Sequence, residues 1–129
     1  MKLESGYHYI PVSNLKRSTE WYSKYLGFHL KFEDPLYVEL RSESGIRIML
    51  ILNEDHVKSH MTYSNGPQAS HGFIVSDIDS AYQELIEEGI QVNRISNYQG
   101  RSFGFHDLDG NIIELWSDRR DPLIPEYPA

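Results

Sequence analysis

The sequence predicts an α+β fold of two βαβββ modules, their strands forming a curved mixed sheet around a cleft with the helices outside. Three observations carry this. Tyr7-His8-Tyr9-Ile10-Pro11-Val12-Ser13-Asn14-Leu15 returns 63 residues later as Ser70-His71-Gly72-Phe73-Ile74-Val75-Ser76-Asp77-Ile78, and a repeat of this period marks duplicated supersecondary units. Each copy reads as a strand running into a helix cap. Each helix is followed by a glycine and then by three strand-like segments. A half-sheet covered by one helix leaves its other face bare, and two such sheets solve that by curving around a common cleft.

The first strand spans about Tyr7–Val12. Asn14 then caps a helix, its side chain accepting an otherwise unpaired backbone N–H. Leu15, Ser18, Trp21, Tyr22, Tyr25 and Leu26 recur at three and four, one stripe of an amphipathic helix. Gly27 ends it, because glycine takes the left-handed conformation of a C-terminal cap. Phe28–Phe32, Leu36–Arg41 and Ile46–Leu52 read as strands, with a turn at Glu43-Ser44-Gly45. The polar segment Asn53–Gln68, with Asn65-Gly66-Pro67, reads as a connector between halves with one short helix. The second module begins with strand 70–75, and Asp77 caps a helix with the stripe Ile78, Ala81, Tyr82, Leu85, Ile86 that Gly89 ends. Ile90–Arg94, Arg101–His106 and Asn111–Ser117 are its strands, the last two joined by an Asp107-Leu108-Asp109-Gly110 turn. The boundaries are therefore 5–53 for module one, 54–69 for the linker, 70–118 for module two and 119–129 for a proline-bearing tail, all within a single domain of 129 residues.

Composition excludes several functions. The chain has no cysteine, which removes disulfides, thiolate metal sites and a cysteine nucleophile. The formal charge of −7 argues against nucleic acid, which calls for clustered Lys and Arg. No apolar run approaches the ~20 residues of a membrane span, and no signal-peptide pattern is present, so the expected location is cytoplasmic. No Gly-rich phosphate loop or nucleophile elbow occurs.

Val12-Ser13-Asn14-Leu15, Trp21-Tyr22, Leu26-Gly27-Phe28 and Asp107-Leu108-Asp109-Gly110-Asn111 leading into Ile113-Glu114-Leu115 resemble the vicinal oxygen chelate superfamily. That superfamily includes glyoxalase I, fosfomycin-resistance enzymes, extradiol dioxygenases and bleomycin-resistance binding proteins. The resemblance spans residues 7 to 117 and implies paired βαβββ modules around a cleft, commonly in a homodimer. Metal-using members place a His at the start of each module's first strand, where this chain has Tyr7 and Ser70. Their ligands in each module's last strand correspond to Met49 and Glu114. Only Glu114 suits a divalent metal, so the chain is closest in character to the metal-free bleomycin-resistance-like members. Substrate-contact positions of the fosfomycin-resistance members correspond to Tyr9, Ser102 and Gly104.

Strand alternation supplies the cleft-facing residues. Tyr7, Tyr9 and Pro11 face inward from the first strand, Tyr37 and Glu39 from the third, and Arg47, Met49 and Ile51 from the fourth. Ser70 and Gly72, then Ser102, Gly104 and His106, then Glu114 and Trp116 face inward in module two. Arg47 also reads as a salt-bridge partner for Glu39 or Glu114. The ligand-binding set is thus Tyr7, Tyr9, Tyr37, Glu39, Arg47, Met49, Ser70, Ser102, His106, Glu114 and Trp116: aromatic faces with a few fixed polar groups, as a small-molecule pocket needs. His8 and His71 share parity with Ile10/Val12 and Phe73/Val75, which places them half-buried under the helices. The favoured function is metal-free sequestration of a small aromatic or cationic ligand, with no cofactor. The alternative is a lyase, isomerase or dioxygenase in which a register shift brings His8, His71 and Glu114 around one divalent metal ion.

Overall fold

The computed structural model describes residues 1–97 and 100–117; the tail expected at 119–129 lies outside them. The elements are β1 (His8–Val12), α1 (Leu15–Leu26), β2 (His29–Glu33), β3 (Tyr37–Arg41), β4 (Arg47–Leu52), β5 (Met61–Tyr63), β6 (Gly66–Gln68), β7 (Gly72–Val75), α2 (Ile78–Glu87), β8 (Ser102–His106) and β9 (Ile112–Ser117). They form sheets of four, two and three strands, the four- and three-stranded ones mixed and the two-stranded one antiparallel. The described residues group into two units, one holding Met1–Ser59 with Asp107–Asn111, the other drawn from His60–His106 with Ile112–Ser117.

In the first unit the sheet order is β1-β4-β3-β2. β1 runs parallel to β4, and β3 is antiparallel to both neighbours. Asn14 caps α1 as its sequence position predicts, Oδ1 accepting the Arg17 N–H at 3.0 Å, and Gly27 closes the helix at φ +73°. Ser18, Trp21 and Tyr22 are its buried residues. Ile10, Val12, Val38, Leu40, Ile48 and Leu50 are all buried. Because side chains alternate along a strand, Tyr9, Tyr37, Glu39 and Met49 are turned to the sheet's other face.

β2 departs from simple alternation. Leu30 pairs with Leu40, whereas Phe32 pairs with Glu39, so the register shifts between them. The extra residue, Lys31, is a β-bulge. Leu30 therefore lies on the α1 side of the sheet and Phe32 on the opposite side.

The turn Asp107–Asn111 belongs to this first unit although its neighbours in sequence are β8 and β9. One carboxylate organises it. Asp107 Oδ2 accepts the Tyr22 hydroxyl at 2.7 Å and Asn111 Nδ2 at 2.9 Å. Its Oδ1 accepts the backbone N–H groups of Asp109 and Asn111, both at 2.9 Å. Asn111, fully buried, also donates to Pro11 O at 2.8 Å and accepts from Ser59 N at 2.9 Å. Ser13 N donates to Asp109 Oδ1 at 3.1 Å. Burial, then the Asp107 charge and hydrogen bond, push the Tyr22 phenol well above its ordinary range.

In the second unit the order is β7-β9-β8, with β7 parallel and β8 antiparallel to β9. Asp77 caps α2, its Oδ1 accepting Ser80 N at 3.0 Å. The helix ends at a Glu88 cap, with Gly89 beyond it at φ +75°. Phe103, Phe105, Ile113 and Leu115 are buried, and Tyr82 of α2 meets Phe103 edge-on at 4.9 Å. Arg101 makes a two-pronged ion pair to Asp79 at 2.6 and 2.7 Å, which holds that carboxyl below its usual range.

Three expectations are corrected here. The connector Asn53–Gln68 contains no helix; its second half is the β5–β6 hairpin, where Tyr63 pairs with Gly66 across a two-residue loop. Ile90–Arg94 is not a strand. It keeps only the isolated bridge Val92–Phe105, followed by Ser96–Ser102, because a run interrupted by Asn93, Arg94 and Ser96 presents too few apolar side chains to a core. His8 is exposed rather than half-buried, since β1 begins there and Ile10 is the first residue of that strand to be covered. Among the described residues no helix is long and apolar enough to cross a membrane.

Tyr22→Phe removes one donor from a buried carboxylate, and a loss of about 1–3 kcal/mol is expected in urea unfolding. The phenol's folded-state value lies above its unfolded one, so its stabilisation is complete below about pH 10 and disappears as pH rises through the folded value. Alkaline titration of stability should therefore fall less steeply in Tyr22→Phe than in the parent.

Candidate functional site

Each unit presents one sheet face on which the residues singled out in the sequence collect. In the first unit, register aligns Tyr9 with Met49, Met49 with Glu39 and Glu39 with Phe32, a single row across all four strands. Tyr37 pairs with Ile51 one step along the same face, and its ring lies 5.6 Å from that of Phe32. Tyr7 meets Tyr9 edge-on at 5.1 Å. Tyr7 and Tyr9 are 54% and 58% exposed, so more than half of each residue's surface is open to a ligand. Tyr9 has its phenol raised by the hydrogen bond and charge of Tyr7, then by slight burial and the charge of Tyr37.

Glu39 is the charged centre of this row, with its side chain only 14% exposed. Arg47 Nε donates to its Oε1 at 2.7 Å, Arg47 Nη2 lies 2.5 Å from the same oxygen, and Arg41 Nη2 lies 3.6 Å from it. The Arg47 hydrogen bond holds the Glu39 carboxyl below its usual range. Of the two partners the sequence allowed for Arg47, the structure gives Glu39. Phe32 and Arg41 are additions. Phe32 reaches this face only through the bulge, which the sequence does not announce. Arg41 follows from β3 alternation once the β3 register is known.

In the second unit, Gly72, Glu114 and Gly104 are aligned across β7, β9 and β8. Glu114 therefore stands between two residues without side chains. Gly104, His106, Ile112 and Glu114 line a recess of about 320 Å³, closed by Pro67, Gln68 and Ala69 at β6 and by Asn93. The glycines are required for different reasons. A Cβ on Gly72 would lie 2.3 Å from the Glu114 carbonyl oxygen, a backbone atom that cannot step aside. A Cβ on Gly104 would meet the Asn93 amide at 2.9 Å, a side chain that can. Trp116 pairs with Ile74 and Ser102 one step along the face. Its indole nitrogen is packed against Gly100, where a Cβ would come within 2.4 Å. Ser70 precedes β7, 3.5 Å from His71 Nδ1. The sequence reading missed Gln68, Ala69 and Asn93. Asn65-Gly66, a hairpin signal, could have placed the first two.

The two modules' positions for metal ligands can be tested against these residues. Tyr7, Met49 and Ser70 are not ligands of the class a catalytic divalent ion takes, which leaves Glu114. His71 is buried, its ring edge-on to Phe73 at 6.2 Å. Phe73 pairs with Leu115, the neighbour of Glu114, so His71 follows the face opposite to Glu114. No group of three or more His, Asp or Glu side chains among the described residues is placed to hold a metal ion. The donor set does not fit the group.

The family model described as Glyoxalase/Bleomycin resistance protein/Dioxygenase superfamily matches residues 6–115, and the chain belongs to that superfamily. It is 27% identical over 118 residues to the catechol-2,3-dioxygenase of Bacillus subtilis (strain 168), a match covering 88% of this chain and 41% of that protein. The chain thus spans about two fifths of that relative's length. Among solved structures it resembles TnmS3, an antibiotic binding protein from Streptomyces sp. CB03234, at 22% identity and TM-score 0.70, covering 91% and 98% of the two chains. It also resembles the fosfomycin resistance protein FosX from Listeria monocytogenes at 14% identity and TM-score 0.72, covering 92% and 95%. These likenesses establish the fold.

Gly72→Ala should cost about 1–3 kcal/mol, because the β7–β9 ladder must move to admit the methyl group. Gly104→Ala should cost less than Gly72→Ala. Urea midpoints of the two variants measure the difference.

Proposed function

We propose that the protein binds a small planar aromatic or cationic molecule without a metal ion. The observation that carries this is the first unit's open face, which Tyr7 and Tyr9, more than half exposed, share with the Tyr37–Phe32 pair. Exposed rings held by a sheet offer large contact area at little cost in side-chain freedom, and their faces attract cations as well as flat rings. Glu39 and Arg47 fix each other, so the rings surround a rigid polar centre rather than a mobile charge. In the second unit Glu114 supplies a carboxylate in a glycine-flanked recess, suited to a hydrogen-bond-donating or cationic group. The formal charge of −7 favours cations over anions at a distance. The antibiotic-binding relative of the same fold is consistent with sequestration as the role. Homodimerisation, by analogy with the superfamily, and a cytoplasmic location complete the proposal.

Proflavine, a planar aromatic cation with its own fluorescence, tests the reading. It should bind the purified protein with equal affinity before and after chelator treatment. Tyr9→Ala should weaken it about tenfold, the equivalent of one aromatic contact of about 1.4 kcal/mol. Glu114→Gln should reduce the preference for proflavine over a neutral ring system of similar size. Loss of binding with chelator, restored by one equivalent of a divalent metal, would overturn the metal-free reading.

A further inference from the structure

The α1 side of the first unit contains a feature that the binding face does not use. A recess of about 590 Å³ opens between α1 and the β2–β3 hairpin. Its walls are apolar, from Leu15, Leu30, Pro35 and Val38. Charged residues line it as well: Glu20 and Lys16 from the helix, Glu33 and Asp34 from the hairpin. The volume falls within the range of small-molecule sites.

The recess has a local cause. Leu30 and Leu40 are register partners on the same side of the sheet, yet Leu40 is fully buried and Leu30 is 46% exposed. The helix covers β3 and β4 but leaves the edge strand β2 partly open on that side. The bulge at Lys31 re-aims the strand there, so Leu30 alone of β2 contributes to the apolar wall while Phe32 leaves for the other face. An apolar hollow of this size, bordered by polar groups, is a feature that isolated surface leucines do not produce.

The charges identify the occupant. Three carboxylates, Glu20, Glu33 and Asp34, stand against one ammonium, Lys16. Among the described residues neither Glu20 nor Glu33 is in an ion pair within 4.0 Å, and Lys16 is not paired with either. Asp34 uses Oδ2 to accept the Leu36 N–H at 2.9 Å, which fixes its carboxylate beside the recess. Three carboxylates against one ammonium leave the rim net negative, which favours a cation that reaches it. Greasy walls below an acidic rim select a molecule that is apolar at one end and positive at the other.

We propose that this recess is a ligand site for an amphiphilic monocation, an alkyl- or arylammonium, separate from the tyrosine face. The apolar part lies against Leu15, Leu30, Pro35 and Val38, and the ammonium meets Glu20, Glu33 and Asp34.

Octylammonium, octanol and octanoate share one chain length and differ in charge, and backbone amide chemical shifts locate where each binds. Octylammonium should perturb residues 15–20 and 30–38, binding about tenfold more tightly than octanoate, with octanol between them. The surface double variant E20Q/E33Q should lower octylammonium affinity to that of octanol and leave octanol unchanged. Equal affinities for the three probes, perturbation confined to Tyr7, Tyr9 and Tyr37, or an unaltered ammonium preference in the double variant would each overturn the proposal.

Discussion

The first unit converges on a single buried carboxylate. Asp107 receives the Tyr22 hydroxyl, the Asn111 amide and two backbone N–H groups, so each oxygen accepts two donors. A carboxylate removed from water is costly unless its lone pairs are occupied, and here the protein occupies them. The arrangement joins α1 to a turn 85 residues further along the chain. Asn111 extends it by bonding to Pro11 in β1 and Ser59 beyond β4. The helix, the first strand and the end of the first half are thereby tied to one short turn. That turn is more than a connection between β8 and β9; it is a component of the unit that presents the tyrosine face.

The two candidate faces are shaped by opposite means. In the first unit side chains are added to a face: the bulge in β2 carries Phe32 to Tyr37 and Glu39. In the second unit side chains are withheld: Gly72 and Gly104 flank Glu114, Gly72 admitting the Glu114 backbone and Gly104 lining the recess. Both devices are backbone decisions. A β-bulge redirects a strand at the cost of one unpaired residue, and glycine in a strand admits a close neighbour at the cost of packing and rigidity.

Membership of a superfamily that contains binders and enzymes fixes the scaffold without choosing between them. The choice rests on the residues that occupy the functional positions. The resemblance in sequence sets Tyr7 and Ser70 at the positions expected for metal-binding histidines, and His71, one residue along, is buried with its ring against Phe73. A one-residue step in a strand exchanges its faces. The side chains on the two faces are mainly aromatic and carboxylate.

Much was legible in the sequence where the signal is local and periodic. Asn14, Gly27 and Asp77 announced the helix caps, because capping depends on a few adjacent backbone groups. Strand alternation separated Ile10, Val12, Val38 and Leu40 from Tyr9, Tyr37 and Glu39, because a pleated strand has a fixed two-residue period. What tertiary structure alone decided depends on partners distant in the chain. Arg47 could have joined either of two glutamates, and geometry assigned it to Glu39. Lys31 could have continued a regular strand, and its pairing with β3 made it a bulge. The weak segment at Ile90–Arg94 needed a neighbour to become a strand and received only isolated bridges. Asp107 read as a turn residue, and became a buried acceptor because Tyr22 and Asn111 surround it. Local sequence sets which backbone states are cheap, but register, exposure and charge pairing are settled only when remote segments compete for the same space.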